Sequence, residues 1–184
     1  MSPQNKRNSA LEQIVRQMRL REPQLDAVKK LHSVISGLSK PLQSTSNDEV
    51  MDVFKANFPN WIFSKNTSVC PEFTVHLATG VGKTKFIGAA IAYLFSANEA
   101  RNFLIITPRA EVIRKFIREM HPESPKYIFG DKSIISEVDL ITAENILAKH
   151  INQQFLWNEN APTVWVLSPQ SFTAKGAKIK IKGD

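Results

Sequence analysis

A single cysteine, Cys70, stands in 184 residues, so no disulfide can form within the chain. The four histidines, His32, His76, His121 and His150, are widely separated and follow no ligand spacing, which argues against a structural metal centre. No apolar run approaches the ~18–20 residues needed to span a bilayer. The stretch from Met1 to Leu20 lacks the apolar core of a signal peptide. These absences predict a cytoplasmic protein with no membrane partner. Internal repeats and low-complexity tracts are missing as well.

What is present is ordinary in bulk and informative in detail. A hydrophobic content of 42% and a charged content of 22% suit one soluble domain with a real core. The net charge of +7 fits a polyanionic partner such as nucleic acid, and fits equally a merely basic surface.

The first nine residues, MSPQNKRNS, are polar and read as a frayed end. From Ala10 to Leu38 the apolar positions Leu11, Ile14, Val15 and Met18, then Leu25, Val28, Leu31, Val34 and Ile35, recur at helical spacing. Pro23 divides this stretch into two helices meeting near Arg21–Pro23, and Gly37 is a candidate stop for the second. SKPLQSTSND reads as a loop, with Asp48 capping a short helix that ends near Phe58. The apolar residues Phe54, Phe58, Trp61, Ile62 and Phe63 predict that this insert packs on the body of the protein.

The rhythm changes at Phe73. Short β-type runs at 73–77, 102–107, 138–142 and 163–168 alternate with helical segments at 83–96, 110–120 and 143–155. Strands without polar alternation, separated by helices, predict an α/β fold with a parallel, doubly wound sheet.

Directly after the first of these runs stands Ala78-Thr79-Gly80-Val81-Gly82-Lys83-Thr84, followed by a helical segment. Glycines at 80 and 82 allow a tight backbone curl that turns several N–H groups towards one phosphate. The helix that follows offers its positive end to the anion. Lys83 is placed to reach the β and γ phosphates of ATP, and Thr84 to set its hydroxyl on Mg2+. The strict phosphate-loop pattern requires glycine at position 77, where this chain has Leu77.

Leu77 to Thr84 resembles the first motif of superfamily 2 helicases and translocases, in which A-T-G-x-G-K-T often follows a residue other than glycine. Leu20-Arg21-Glu22-Pro23-Gln24, with Ala27 beyond it, is similar to the L-R-x-x-Q element of that superfamily, which implies that Arg21 and Gln24 recognise adenine. IITPRAEVIRKF (105–116) resembles the motif after the second strand, and implies that Thr107, Pro108 and Arg109 touch a nucleic-acid backbone. VDLITAEN (138–145) and VLSPQSF (166–172) resemble later segments of the same lobe, which adds Thr142 and Gln170 to those candidates. Together with FGDKSIISEVDLITAENI, these segments look most like the motor subunit of type III restriction enzymes.

The resemblance implies a RecA-like P-loop lobe over 73–184, incomplete at its C-terminus, behind a helical segment over 1–72. Thr79, Gly80, Val81, Gly82, Lys83, Thr84 and Lys85 would hold the nucleotide, with Lys83 and Thr84 catalytic and Thr84 on the metal. DNA, a second motor lobe and a methyltransferase subunit would be partners.

Readings without these roles remain open at this stage. Arg21 and Gln24 also fit an exposed helix start, and Arg109 fits a solvated residue after a strand. Lys175, Lys178, Lys180 and Lys182 fit an exposed tail better than a nucleic-acid contact.

An acidic pair after the phosphate turn, which the superfamily uses as its second motif, is not found. Asp48-Glu49 precedes the turn and reads as part of a helix cap. The expectation is therefore the front part of a motor, with negligible ATP turnover on its own. A non-catalytic nucleotide-binding or decoy module is the alternative. A nucleotide kinase would need a lid and its own acidic magnesium ligand, and neither is visible.

Overall fold

The computed structural model describes residues 2–60, 74–146 and 160–173. It divides into two compact units, Met1–Ala100 and Arg101–Asp184. The first is helical among its described residues, with α1 (Pro3–Gln17), α2 (Glu22–Gly37), α3 (Asn47–Asn57) and α4 (Lys83–Ser96).

Helix α1 begins earlier than its polar composition predicts. Ser2 accepts a hydrogen bond from the Asn5 N–H and Pro3 occupies the first turn, where its missing N–H costs nothing. The buried stripe is Arg7, Ala10, Ile14 and Met18, so Val15, expected inside, is 41% exposed. Helix α2 buries Ala27, Val28, Leu31, Val34 and Ile35 as its spacing predicts. It ends at Gly37 as expected, although the φ of that residue is not left-handed. A Cβ there would also come within 2.5 Å of Val53 Cγ1 on α3, so the glycine lets α3 approach closely as well. The cap of α3 is Ser46, which accepts from the Glu49 N–H, while Asp48 sits in the first turn.

Helix α4 ends in a Schellman arrangement, with the Asn98 N–H donating to Phe95 O and the Glu99 N–H to Leu94 O. Asn98 takes a φ of 60°, as this motif demands. That turn carries Glu99 inward to Arg7, and both are 1% exposed. Arg7 Nε donates to Glu99 Oε1 at 2.8 Å, Nη1 to Leu38 O at 2.7 Å and Nη2 to Lys40 O at 2.8 Å. Glu99 Oε2 accepts from the Leu42 N–H at 2.6 Å. One buried ion pair thus joins α1, the exit of α2 and the end of α4. Midway along, His32 Nδ1 and the Tyr93 hydroxyl lie 2.9 Å apart, linking α2 to α4. Burial and the nearby Arg7 guanidinium lower the His32 pKa, which keeps the ring neutral.

The second unit holds a parallel three-stranded sheet in the order β1 (Asn102–Ile106), β3 (Thr163–Leu167), β2 (Asp139–Thr142). The register sets Asn102 and Asp139 both opposite Thr163. Helix α5 (Ala110–Glu119) packs against β3, and a short α6 (Gln170–Thr173) follows it. Val164 and Val166 are buried on one face, whereas Leu104 and Ile106 on the other are 54% and 53% exposed. Between α5 and β2 the chain forms a packed loop around Tyr127, Ile128, Phe129, Ile134 and Ile135. The Tyr127 hydroxyl donates to Ile135 O at 2.7 Å, and burial pushes its pKa up to about 12.

Three of the four expected strands therefore form. Thr74–Leu77, from the expected strand at 73–77, has no regular structure and pairs with no strand among the described residues. It lines a cavity of about 320 Å3 with residues of α2 and α3, among them Leu31 and Phe54. Of the helix expected at 143–155, Ala143–Asn145 form a turn and residues beyond 146 lie outside the described residues. Trp61, Ile62, Phe63, Cys70 and the lysines from 175 onward lie outside them too.

The Arg7–Glu99 pair gives a direct test of this frame. Arg7→Ala leaves a buried carboxylate unpaired and should cost about 3–5 kcal/mol in urea unfolding. Replacing both residues by methionine and leucine should cost less than Arg7→Ala alone.

Candidate functional site

In the first unit, the residues singled out from the sequence converge on the turn that opens α4. Gly80 and Gly82 adopt φ values of 84° and 93°, a region that L side chains avoid. Gly82 caps α4, and its carbonyl accepts from the N–H groups of Lys85 and Phe86. Lys83 is exposed at the first helical position, with Thr84 and Lys85 half-buried behind it. Among the described residues the N–H groups of Gly82 and Lys83 donate to no protein oxygen.

Helix α2 starts against this turn. Arg21 Nη1 donates to Gly80 O at 2.9 Å, although Arg21 itself is exposed. Gln24, 3% exposed, donates through Nε2 to Val81 O at 2.6 Å and to Gly82 O at 2.9 Å. Its Oε1 accepts from the Arg21 N–H at 2.9 Å, which makes the N3-to-N-cap half of a capping box on α2. Three successive carbonyls of the turn are therefore held by two side chains at the start of α2. Gly82 is constrained twice, because a Cβ there would also meet Gln24 Nε2 at 2.6 Å.

In the second unit, Thr107–Arg109 and Gln170 follow the ends of β1 and β3, and Thr142 is the last residue of β2. Since the strands are parallel, all of these lie at one sheet edge, the carboxyl edge where ligands of open α/β sheets gather. The Thr107 N–H donates to Leu167 O at 3.0 Å, and Arg109 is exposed as the residue preceding α5. Thr142 is 7% exposed; its N–H donates to Asn145 Oδ1 and its hydroxyl oxygen accepts from the Glu144 N–H. Gln170 is exposed at the start of α6. Asn145, which also donates to Leu140 O, shapes the turn around Thr142 and was not singled out from the sequence. Its signal is the Thr-x-x-Asn spacing directly after a strand. No group of three or more acidic, histidine or cysteine side chains suited to a metal exists among the described residues.

The glycine turn of the first motif therefore opens a helix and is held by the Arg21 and Gln24 side chains of the second. Residues 17–181 match the family model described as type III restriction enzyme, res subunit. The chain belongs to that family. No curated protein and no solved structure gives a significant match. As a res-subunit family member, the chain combines an α/β fold and parallel sheet with the motif order of a helicase-type ATP-binding motor. No helix among its described residues is long and apolar enough to cross a membrane.

The double constraint on Gly82 is testable. Gly82→Ala should combine a left-handed φ penalty of about 1–2 kcal/mol with displacement of Gln24. The measurement is thermal unfolding together with ATP binding, and both should fall.

Proposed function

We propose that this chain is an ATP-binding part of an ATP-dependent DNA translocase or helicase of the restriction-enzyme motor type. The observation that carries this reading is the glycine turn at 80–82, which leads into Lys83 and Thr84 and is held by Arg21 and Gln24. The division that goes with it is a helical segment over 1–72 and a P-loop lobe over 73–184.

Lys83 supplies a mobile positive charge to the β and γ phosphates, and the outward N–H groups of Gly82 and Lys83 supply hydrogen bonds. Thr79, Val81 and Lys85 complete the cradle. Thr84 offers its hydroxyl to Mg2+, which when bound would offset phosphate charge. These roles make Lys83 and Thr84 the catalytic candidates.

Arg21 and Gln24 favour adenine. The Gln24 carboxamide oxygen has two lone pairs, of which the Arg21 N–H takes one. The second suits the exocyclic amino group of adenine and repels the carbonyl that guanine has in its place.

The sheet edge carrying Thr107, Pro108, Arg109, Thr142 and Gln170 is the DNA-facing candidate, contacting backbone and not bases. A second motor lobe and a methyltransferase subunit are the protein partners this family assignment favours.

A non-catalytic module that binds nucleotide without turnover is the second reading. It is favoured by the lack of an acidic metal-ligand group among the described residues.

Calorimetry with MgATP tests the phosphate site. Lys83→Ala should weaken binding by about 1.5–3 kcal/mol, and ATP should outcompete GTP on the parent protein. Equal affinity of mutant and parent would remove the reading.

DNA binding has its own signature. It should be independent of sequence and weaken steeply with salt, and Arg109→Ala should reduce the salt slope by about one unit. Fluorescence anisotropy across a salt series measures this, and an affinity indifferent to salt would exclude the interface.

A further inference from the structure

Local bonds to Lys85 and Phe86 orient the Gly82 carbonyl, and side chains from outside the phosphate turn orient it and the two carbonyls before it. In a trans peptide the carbonyl of one residue and the N–H of the next point in opposite directions, and the chain has no cis bond among its described residues. The carbonyls of Gly80, Val81 and Gly82 are all drawn to the start of α2, by Arg21 Nη1 and by both N–H groups of Gln24. The N–H groups of Val81, Gly82 and Lys83 are therefore turned the other way. Val81 N–H makes a long 3.4 Å contact with Ala78 O, and the next two make none among the described residues.

We infer that Gln24, assisted by Arg21, is a positioning residue for phosphate whatever base is attached, because its two donors aim the backbone N–H groups of the turn. This rests on the phosphate-binding reading above and adds to it. Base preference uses the acceptor side of Gln24, and the clamp uses the donor side. The geometry keeps the two apart, because Oε1 faces the Arg21 N–H while Nε2 faces the turn. Burial strengthens the effect, since Gln24 is 3% exposed and water cannot replace the lost donors without entering the contact. Gly82 is the matching half of the device, as its missing Cβ leaves Nε2 the room to sit there.

The clamp requires that Gln24 matter to a ligand with no base. The probe is inorganic tripolyphosphate with Mg2+, and the discriminating variant is Gln24→Glu. That variant keeps an oxygen for the Arg21 N–H and loses both donors to the turn. Tripolyphosphate and ATP affinities should fall together, by about ten- to a hundredfold, with their ratio unchanged. Arg21→Ala, which removes only the exposed clasp on Gly80, should cause a smaller loss of the same kind. A second readout needs no ligand. Hydrogen exchange at the Val81 amide, which contacts Ala78 O, should quicken in Gln24→Glu protein whose circular dichroism matches the parent.

Parent-like tripolyphosphate affinity or unchanged exchange in Gln24→Glu would overturn the clamp and leave the phosphate site standing. Tripolyphosphate and ATP binding both indifferent to Lys83→Ala would overturn the phosphate site itself, and the clamp with it.

Discussion

Helices α2 and α4 run side by side in the same direction, and the first unit is organised by what that costs. Their N-termini meet where Gln24 holds Val81 and Gly82, their middles where His32 meets Tyr93, and their ends where Arg7 spans Leu38 and Glu99. Parallel neighbours set like ends of two macrodipoles together, which is unfavourable unless something answers each end. At the C-terminal end the answer is built in. The Arg7 guanidinium receives carbonyls just past α2 and the carboxylate just past α4. At the N-terminal end two positive poles flank the glycine turn, and a bound anion is the natural complement. The constraint that stabilises one end thus creates the binding tendency at the other.

Second-unit geometry works through register instead of ion pairs. Because β1, β2 and β3 are parallel, the residues after each strand arrive at one edge however far apart they stand in sequence. Thr107, Thr142 and Gln170 are brought to that edge by topology alone. Local bonds then fix the turns: Thr107 to Leu167, Thr142 to Asn145, and Ser168 to Ser171 at 3.2 Å. Arg109 is left exposed beside them.

Sequence pattern made α2, α4, α5 and three strands legible, through helical spacing in α2 and through short apolar runs alternating with helical segments after it. It failed at the N-terminus. Arg7 is a charged residue on a buried stripe, and its partner Glu99 lies 92 positions away, beyond the reach of any local pattern. It failed again at 74–77. An apolar–polar run reports a capacity to pair, whereas strand formation also needs a neighbour. Gly37 marked the end of α2, but the room it leaves for Val53 of α3 was hidden, since a glycine that ends a helix and one that lets another helix approach look alike in sequence.

The glycine turn at 80–82 was legible for the opposite reason, as its demands are local. A positive φ at 80 and at 82 restricts both positions to glycine whatever surrounds them. What sequence could not show is that Gly82 is also required from outside, by the Gln24 side chain in the space of its Cβ. The two requirements reinforce each other. A turn flexible enough to reach left-handed φ is also flexible enough to leave it, so glycine alone gives access to the phosphate-binding shape without holding it. The bonds from Arg21 and Gln24 supply the hold, and the capping box of α2 fixes the side chain that makes two of them. The spacing between Arg21 and Gln24 is therefore a helix-capping spacing first. It serves the phosphate turn because that cap and that turn share one corner of the fold.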